Sequence, residues 1–167
     1  MIKVEIEKTH ETSQGLGVGN VYLGIDYGSK RIGLSYADDL GMAFPLPAAI
    51  DEELAARFEH IHREITRLRV THLILGYPLS LEGEKTKKCY EVDDFAEELK
   101  KRFHLPIELI DEGLTSQAAD SINHHKKPKN AHERTQQRKS GERDSRAAAI
   151  LLQDYLNSKG IGQSTDL

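Results

Sequence analysis

The stretch Val21-Tyr22-Leu23-Gly24-Ile25-Asp26-Tyr27-Gly28-Ser29-Lys30-Arg31-Ile32-Gly33-Leu34-Ser35-Tyr36-Ala37 decides the reading of the fold. Two short apolar runs, 21–26 and 31–37, flank Tyr27-Gly28-Ser29-Lys30, a Gly-containing connection of the hairpin kind, so the segment predicts two antiparallel strands. Period-two geometry puts Asp26 on the same face as Tyr22 and Gly24. An aspartate is poorly suited to a strand, so its presence there asks for a reason. Upstream, Ile2, Val4 and Ile6 alternate with charged residues and predict an edge strand. Gly15, Gly17 and Gly19 form a joint after it, and residues 1–19 are expected to be an N-terminal extension.

Downstream, Leu54, Phe58, Ile61, Ile65 and Leu68 recur at steps of four and three, predicting a helix over 51–69 with Asp51 as its cap. His72 to Gly76 reads as a strand stopped by Pro78, which has no N–H for a ladder. Val92, Phe95, Ala96, Leu99 and Phe103 predict a second helix over 86–103. A strand is expected at 107–110, a short helix at 116–123, a polar loop at 124–143 and a last helix at 144–157, buried through Ala148, Leu151, Leu152 and Tyr155. A hairpin followed by alternating helices and strands implies an α/β fold, a mixed sheet with helices on both faces. In such sheets active sites lie near strand ends, where loops diverge.

A chain of 167 residues, 38% apolar and 30% charged, is the size of one domain with a real core. That domain is expected over 20–158, with 159–167 as a C-terminal tail. The longest apolar run, Ala147 to Leu152, is far below the ~18–20 residues that cross a bilayer. Lys3, Glu5, Glu7, Lys8 and Glu11 interrupt any secretory leader, so a cytoplasmic protein is expected. Cys89 is the single cysteine, which excludes an internal disulfide and a four-thiolate zinc site. The net charge of −4 hides an asymmetry. Residues 124–146 carry eight Lys and Arg against three Asp and Glu, a basic segment on an acidic body.

Three carboxylates stand where folding alone would not put them. Asp26 ends a strand, Glu112 follows the strand at 107–110, and Asp144 opens the last helix on the face of Leu151 and Tyr155. If they converge at one rim of the sheet, they repel one another unless a cation lies between them. Mg²⁺ or Mn²⁺ suits such oxygen ligands, and a pair of ions ~3.5–4 Å apart assists phosphodiester hydrolysis. The plainer readings are a helix N-cap for Asp144, a solvated strand end for Asp111-Glu112, and a turn residue for Asp26.

Four motifs in order carry a family resemblance. Leu23-Gly24-Ile25-Asp26-Tyr27-Gly28-Ser29-Lys30-Arg31-Ile32-Gly33-Leu34, Leu75-Gly76-Tyr77-Pro78-Leu79-Ser80, Asp111-Glu112-Gly113-Leu114-Thr115-Ser116 and Asp144-Ser145-Arg146-Ala147-Ala148-Ala149 resemble those of the YqgF (RuvX) family. The resemblance covers about residues 21–157 and implies a ribonuclease-H-like fold, with catalytic and metal-binding carboxylates carried onto Asp26, Glu112 and Asp144. It further implies a Mg²⁺- or Mn²⁺-dependent endonuclease for pre-16S rRNA or DNA junctions. Gly113 replaces an arginine, Tyr77 a leucine and Ser80 an asparagine of the family pattern. Losing the arginine removes a phosphate clamp and keeps open a second reading, a nucleic-acid-binding protein that cuts poorly.

Nucleic acid is thus the expected partner, with a homodimer fitting a two-strand junction. Ser29, Lys30 and Arg31 in the hairpin turn are candidates for phosphate contacts, as are Lys85 with Lys87 and Lys88, and Lys126, Lys127, Lys129, Arg134 and Arg138 in the basic segment. A solvated hairpin tip and an exposed helix face are their plainer readings. His124, His125 and His132 have no cysteine partner for zinc, and Cys89 has no base beside it and reads as a helix residue. An actin-like ATPase shares the opening phosphate hairpin but needs two such domains, and 167 residues supply one.

Overall fold

The computed structural model describes residues 19–112 and 131–163. Within them, β1 (Val21–Tyr27) and β2 (Ile32–Asp38) form the expected antiparallel hairpin, in register from Val21 opposite Asp38 to Tyr27 opposite Ile32. A third strand, β3 (Phe44–Ala49), adds antiparallel to β2. Then come α1 (Leu54–Leu68), β4 (His72–Tyr77), α2 (Lys87–Phe103), β5 (Ile107–Asp111), α3 (Ala131–Ser140) and α4 (Glu142–Ser158). The sheet order is β3-β2-β1-β4-β5, with β4 parallel to both β1 and β5. The expected α/β class, a mixed sheet with helices on both faces, is what forms.

Alternation along the strands sorts side chains onto two faces. Leu23, Ile25, Ile32, Leu34, Leu73 and Leu75 point to one face and are buried against Phe58 and Ile61 of α1 and Val92, Phe95 and Leu99 of α2. Tyr22, Ala37 and Ile74 point to the other, where α4 covers them with Leu151, Leu152, Tyr155 and Leu156. Each fully buried Leu or Ile contributes about 1.5–3 kcal/mol relative to exposure, so the larger first cluster carries most of the apolar stabilisation.

Local chemistry sets the ends of α2. Thr86 caps its N-terminus, and its hydroxyl donates to the Pro78 carbonyl at 2.9 Å. The buried Cys89 thiol accepts from the Thr86 N–H and donates to the same carbonyl, both at 3.3 Å. Cys89 is therefore part of a helix cap, in keeping with its reading as a helix residue.

One strand is additional to the expected elements, and two expectations need correction. β3 was not foreseen because Pro45 and Pro47 argue against a strand; at a sheet edge, the missing N–H groups leave no ladder bond broken. The first helix begins at Leu54 with Glu53, not Asp51, as its N-cap. The polar segment 124–143 is not a loop throughout. Residues 131–140 form α3, and Glu142 and Arg143 belong to α4. α3 has no apolar stripe to betray it, but Ala131, Glu133, Arg134, Gln136, Gln137, Arg138 and Lys139 are good helix formers. The strand expected at Ile2–Ile6 and the helix expected at 116–123 lie outside the described residues.

Candidate active site

β1 carries Asp26 to the C-terminal end of the sheet, paired across the hairpin with Gly33 of β2. Asp144, in the first turn of α4, arrives over that same pair. The contact depends on Gly33, because a Cβ there would stand 2.0 Å from the Asp144 carbonyl oxygen. Backbone therefore packs on backbone where the helix starts. Two buried serines hold the seat: the Leu34 N–H donates to Ser145 Oγ at 3.3 Å, and Ser35 Oγ donates to the Ala148 carbonyl at 2.8 Å. Glu112 follows β5 directly and reaches back across β4, where a Cβ on Gly76 would meet its Oε1 at 2.5 Å.

Asp26 and Glu112 meet side chain to side chain and share a hydrogen bond. Burial is the main cause that raises the Asp26 pKa from 3.8 to about 7. The Glu112 charge adds to it, Lys88 opposes it, and the Asp144 charge and the hydrogen bond to Glu112 raise it further. Near neutral pH the Asp26 carboxyl therefore gives up its proton reluctantly, against burial and the adjacent Glu112 charge. Asp144 is near enough for Asp26 to feel, yet its own Oδ2 accepts from Arg31 Nε at 2.8 Å. Among the described residues no group of three or more His, Cys, Asp or Glu side chains is gathered as a metal site. The three carboxylates are brought to one rim as a touching pair with the third turned to an arginine.

Hard oxygen donors whose mutual repulsion is visible in the raised Asp26 pKa suit a divalent cation, which would remove that repulsion. Asp26, Glu112 and Asp144 are the residues that would hold such an ion.

The candidate phosphate contacts divide. Ser29 and Lys30 are exposed in the hairpin turn beside Asp26, and the buried Arg57 donates from Nη1 to the Ser29 carbonyl at 2.8 Å. Arg57 Nε has no partner among the described residues. Lys85 is tied to Asp93 at 3.2 Å and lies over the rings of Tyr77 and Tyr90. Tyr77, a departure from the family pattern, donates its hydroxyl to that same Asp93 at 3.2 Å. Arg134 is exposed on α3, as is His132, while Arg138 belongs to the same helix. Lys126, Lys127, Lys129, His124, His125 and Gly113 lie outside the described residues.

Sequence reading grouped Lys85, Lys87 and Lys88 without separating them, and missed that Lys88 is the one whose charge acts on Asp26. It also missed Arg57. A signal existed, since position 57 lies on the stripe of Leu54, Phe58 and Ile61, and a charged residue within an apolar stripe is out of place. Ser145 gave no signal, because a serine among alanines is unremarkable in a helix.

A family model described as Holliday junction resolvase, RuvX, matches residues 20–158. A protein of Opitutus terrae, provisionally named a pre-16S rRNA nuclease, is 38% identical over 138 residues, covering 82% of this chain and 91% of its own. One of the same name from Mycoplasmopsis synoviae is 36% identical over 139 residues, covering 81% of this chain and 96% of its own. Among solved structures, Thermus thermophilus RuvC in complex with a Holliday junction substrate covers 84% of this chain and 95% of its own, at 15% identity and a TM-score of 0.47.

Proposed function

Because the chain belongs to the RuvX family, we propose that it is an endonuclease that hydrolyses phosphodiester bonds in structured nucleic acid, with residues 20–158 as its nuclease domain. The observation that carries this reading is the half-buried Asp26 carboxyl held against Glu112 at the end of β1, with Asp144 beside it. The names of its relatives and of its family model support an rRNA precursor or a DNA junction as substrate. Segments 1–19 and 159–167 flank the domain, and it works in the cytoplasm.

Asp26, Glu112 and Asp144 hold Mg²⁺ or Mn²⁺. When bound, the ion supplies Lewis acidity to the scissile phosphate and the attacking water. The chain's own residues do the rest. Ser29, Lys30 and Arg31 grip a phosphate through backbone N–H groups and two cations, and Arg57 fixes the turn from beneath by its bond to the Ser29 carbonyl. Lys88 offsets the carboxylate charge. The basic residues Lys126, Lys127, Lys129, Arg134 and Arg138 add phosphate contacts, with Lys85 contributing from just before α2. A homodimer matches the two-fold symmetry of a junction.

The test is cleavage with Mg²⁺ or Mn²⁺ of a pre-16S rRNA 5′ end and a four-way DNA junction, side by side, for wild type and Asp26→Asn. Cleavage of one or both that Asp26→Asn loses supports the nuclease. Tight binding with cleavage of neither would establish instead the binding protein that Gly113 leaves open.

A further inference from the structure

The Arg31–Asp144 pair bridges the two halves of the proposed site. Arg31 ends the hairpin turn read as a phosphate cradle, and Asp144, its ion-pair partner, is one of the three carboxylates of the proposed metal site. Arg31 Nε stands 2.8 Å from Asp144 Oδ2, and both side chains keep about a third of their surface in solvent, at 39% and 31%. Solvent is thus at hand to let each leave the other. The backbones are not free in the same way. Gly33 seats the first turn of α4 on β2, and Ser145 Oγ ties that turn to the Leu34 N–H. Any change of partner must be a rotation of side chains over a fixed frame.

We infer that Arg31 and Asp144 form an exchangeable ion pair that couples nucleic-acid binding to metal binding: a phosphate takes Arg31, and Asp144, released, joins Asp26 and Glu112. The inference rests on the nuclease reading above and deepens it. The exchange is balanced in charge, since Arg31 passes from a carboxylate to a phosphate and Asp144 from a guanidinium to a cation. Neither group is left unpaired at the end. Among the described residues of the free chain no three carboxylates form an open cluster, whose repulsion would oppose folding. By linkage, whatever frees Asp144 strengthens metal binding, and metal on Asp144 frees Arg31 for phosphate by the same factor.

Two measurements test it. First, Mn²⁺ is titrated calorimetrically into the wild type and Arg31→Gln without nucleic acid. A half-exposed ion pair is weak, so freeing Asp144 should tighten Mn²⁺ by about two- to fivefold. Second, a four-way DNA junction is bound in EDTA by wild type, Arg31→Gln, Asp144→Asn and the double variant, each checked by circular dichroism. Loss of a negative charge raises junction affinity in any background. Release of Arg31 does so only where Arg31 is present, so the gain from Asp144→Asn should be larger in the wild-type background than in Arg31→Gln. Equal Mn²⁺ affinities, or equal gains in the two backgrounds, would overturn the exchange while leaving the nuclease reading intact. Failure of the wild type to bind Mn²⁺ at all would instead remove the reading on which it rests.

Discussion

The two faces of the sheet are built to different ends. Beneath α1 and α2 the face is sealed by large aliphatic and aromatic side chains from Leu23 to Leu99, with Arg57 buried at its edge. Beneath α4 the apolar cluster is smaller, and the strands offer Gly24, Gly33, Gly76 and Ser35 where the other face offers Leu and Ile. Small residues let α4 come close enough for its first turn to deliver Asp144 to Asp26. Stability is concentrated on one side, so the other is free to hold mutually repelling carboxylates.

The largest effect on folding should come from the sealed face. Leu73→Ala, at a fully buried position there, should destabilise by about 2–5 kcal/mol in urea unfolding, while metal affinity below the transition stays that of wild type. Reduced Mn²⁺ affinity in the folded variant would show that the two faces are not separable.

The second effect is electrostatic and depends on pH. Asp26 holds its proton more tightly folded, with a pKa of about 7 against 3.8 for the ordinary carboxyl. Its contribution is full below about pH 4 and is lost as pH rises through 7. In EDTA, Asp26→Asn should therefore match the wild type at low pH and exceed it at pH 8 by up to about 4 kcal/mol. A variant less stable than wild type at pH 8 would make Asp26 a structural residue.

Third in size is Gly33→Ala. Its Cβ would press on the Asp144 carbonyl, costing about 1–3 kcal/mol of stability. Its effect on cleavage should be out of proportion, on the order of 100-fold, because the displaced group is one of the three proposed to converge on the cation. Proportionate losses of stability and cleavage would make the close approach of α4 a packing feature only. The smallest change should be read in salt. Replacing Lys126, Lys127, Lys129, Arg134 and Arg138 by Gln should make the slope of log affinity against log salt shallower by roughly 0.7–0.9 per lost phosphate contact.

The face that seals was legible in the sequence because periodicity reports burial. Phe58, Ile61 and Ile65 spell out α1, and alternation in 21–37 spells out the hairpin. The location of Asp26 on the α4 face followed from the same period of two. What periodicity does not report is partnership. The sequence placed Asp26, Glu112 and Asp144 at element ends that could converge at one rim but said nothing of Arg31 holding Asp144, or of the Lys88 charge acting on Asp26. β3 escaped because its prolines are acceptable only at an edge, a tertiary circumstance. α3 escaped because a helix polar on every side has no periodic signature.

The central claim, that Asp26, Glu112 and Asp144 form one cation site, is tested most directly by calorimetric titration of Mn²⁺ into the wild type and Asp26→Asn in the absence of nucleic acid. Removal of one hard anionic ligand from a three-carboxylate site should weaken binding at least tenfold, with both proteins folded and the variant at least as stable. Superimposable titration curves for the two proteins would contradict it.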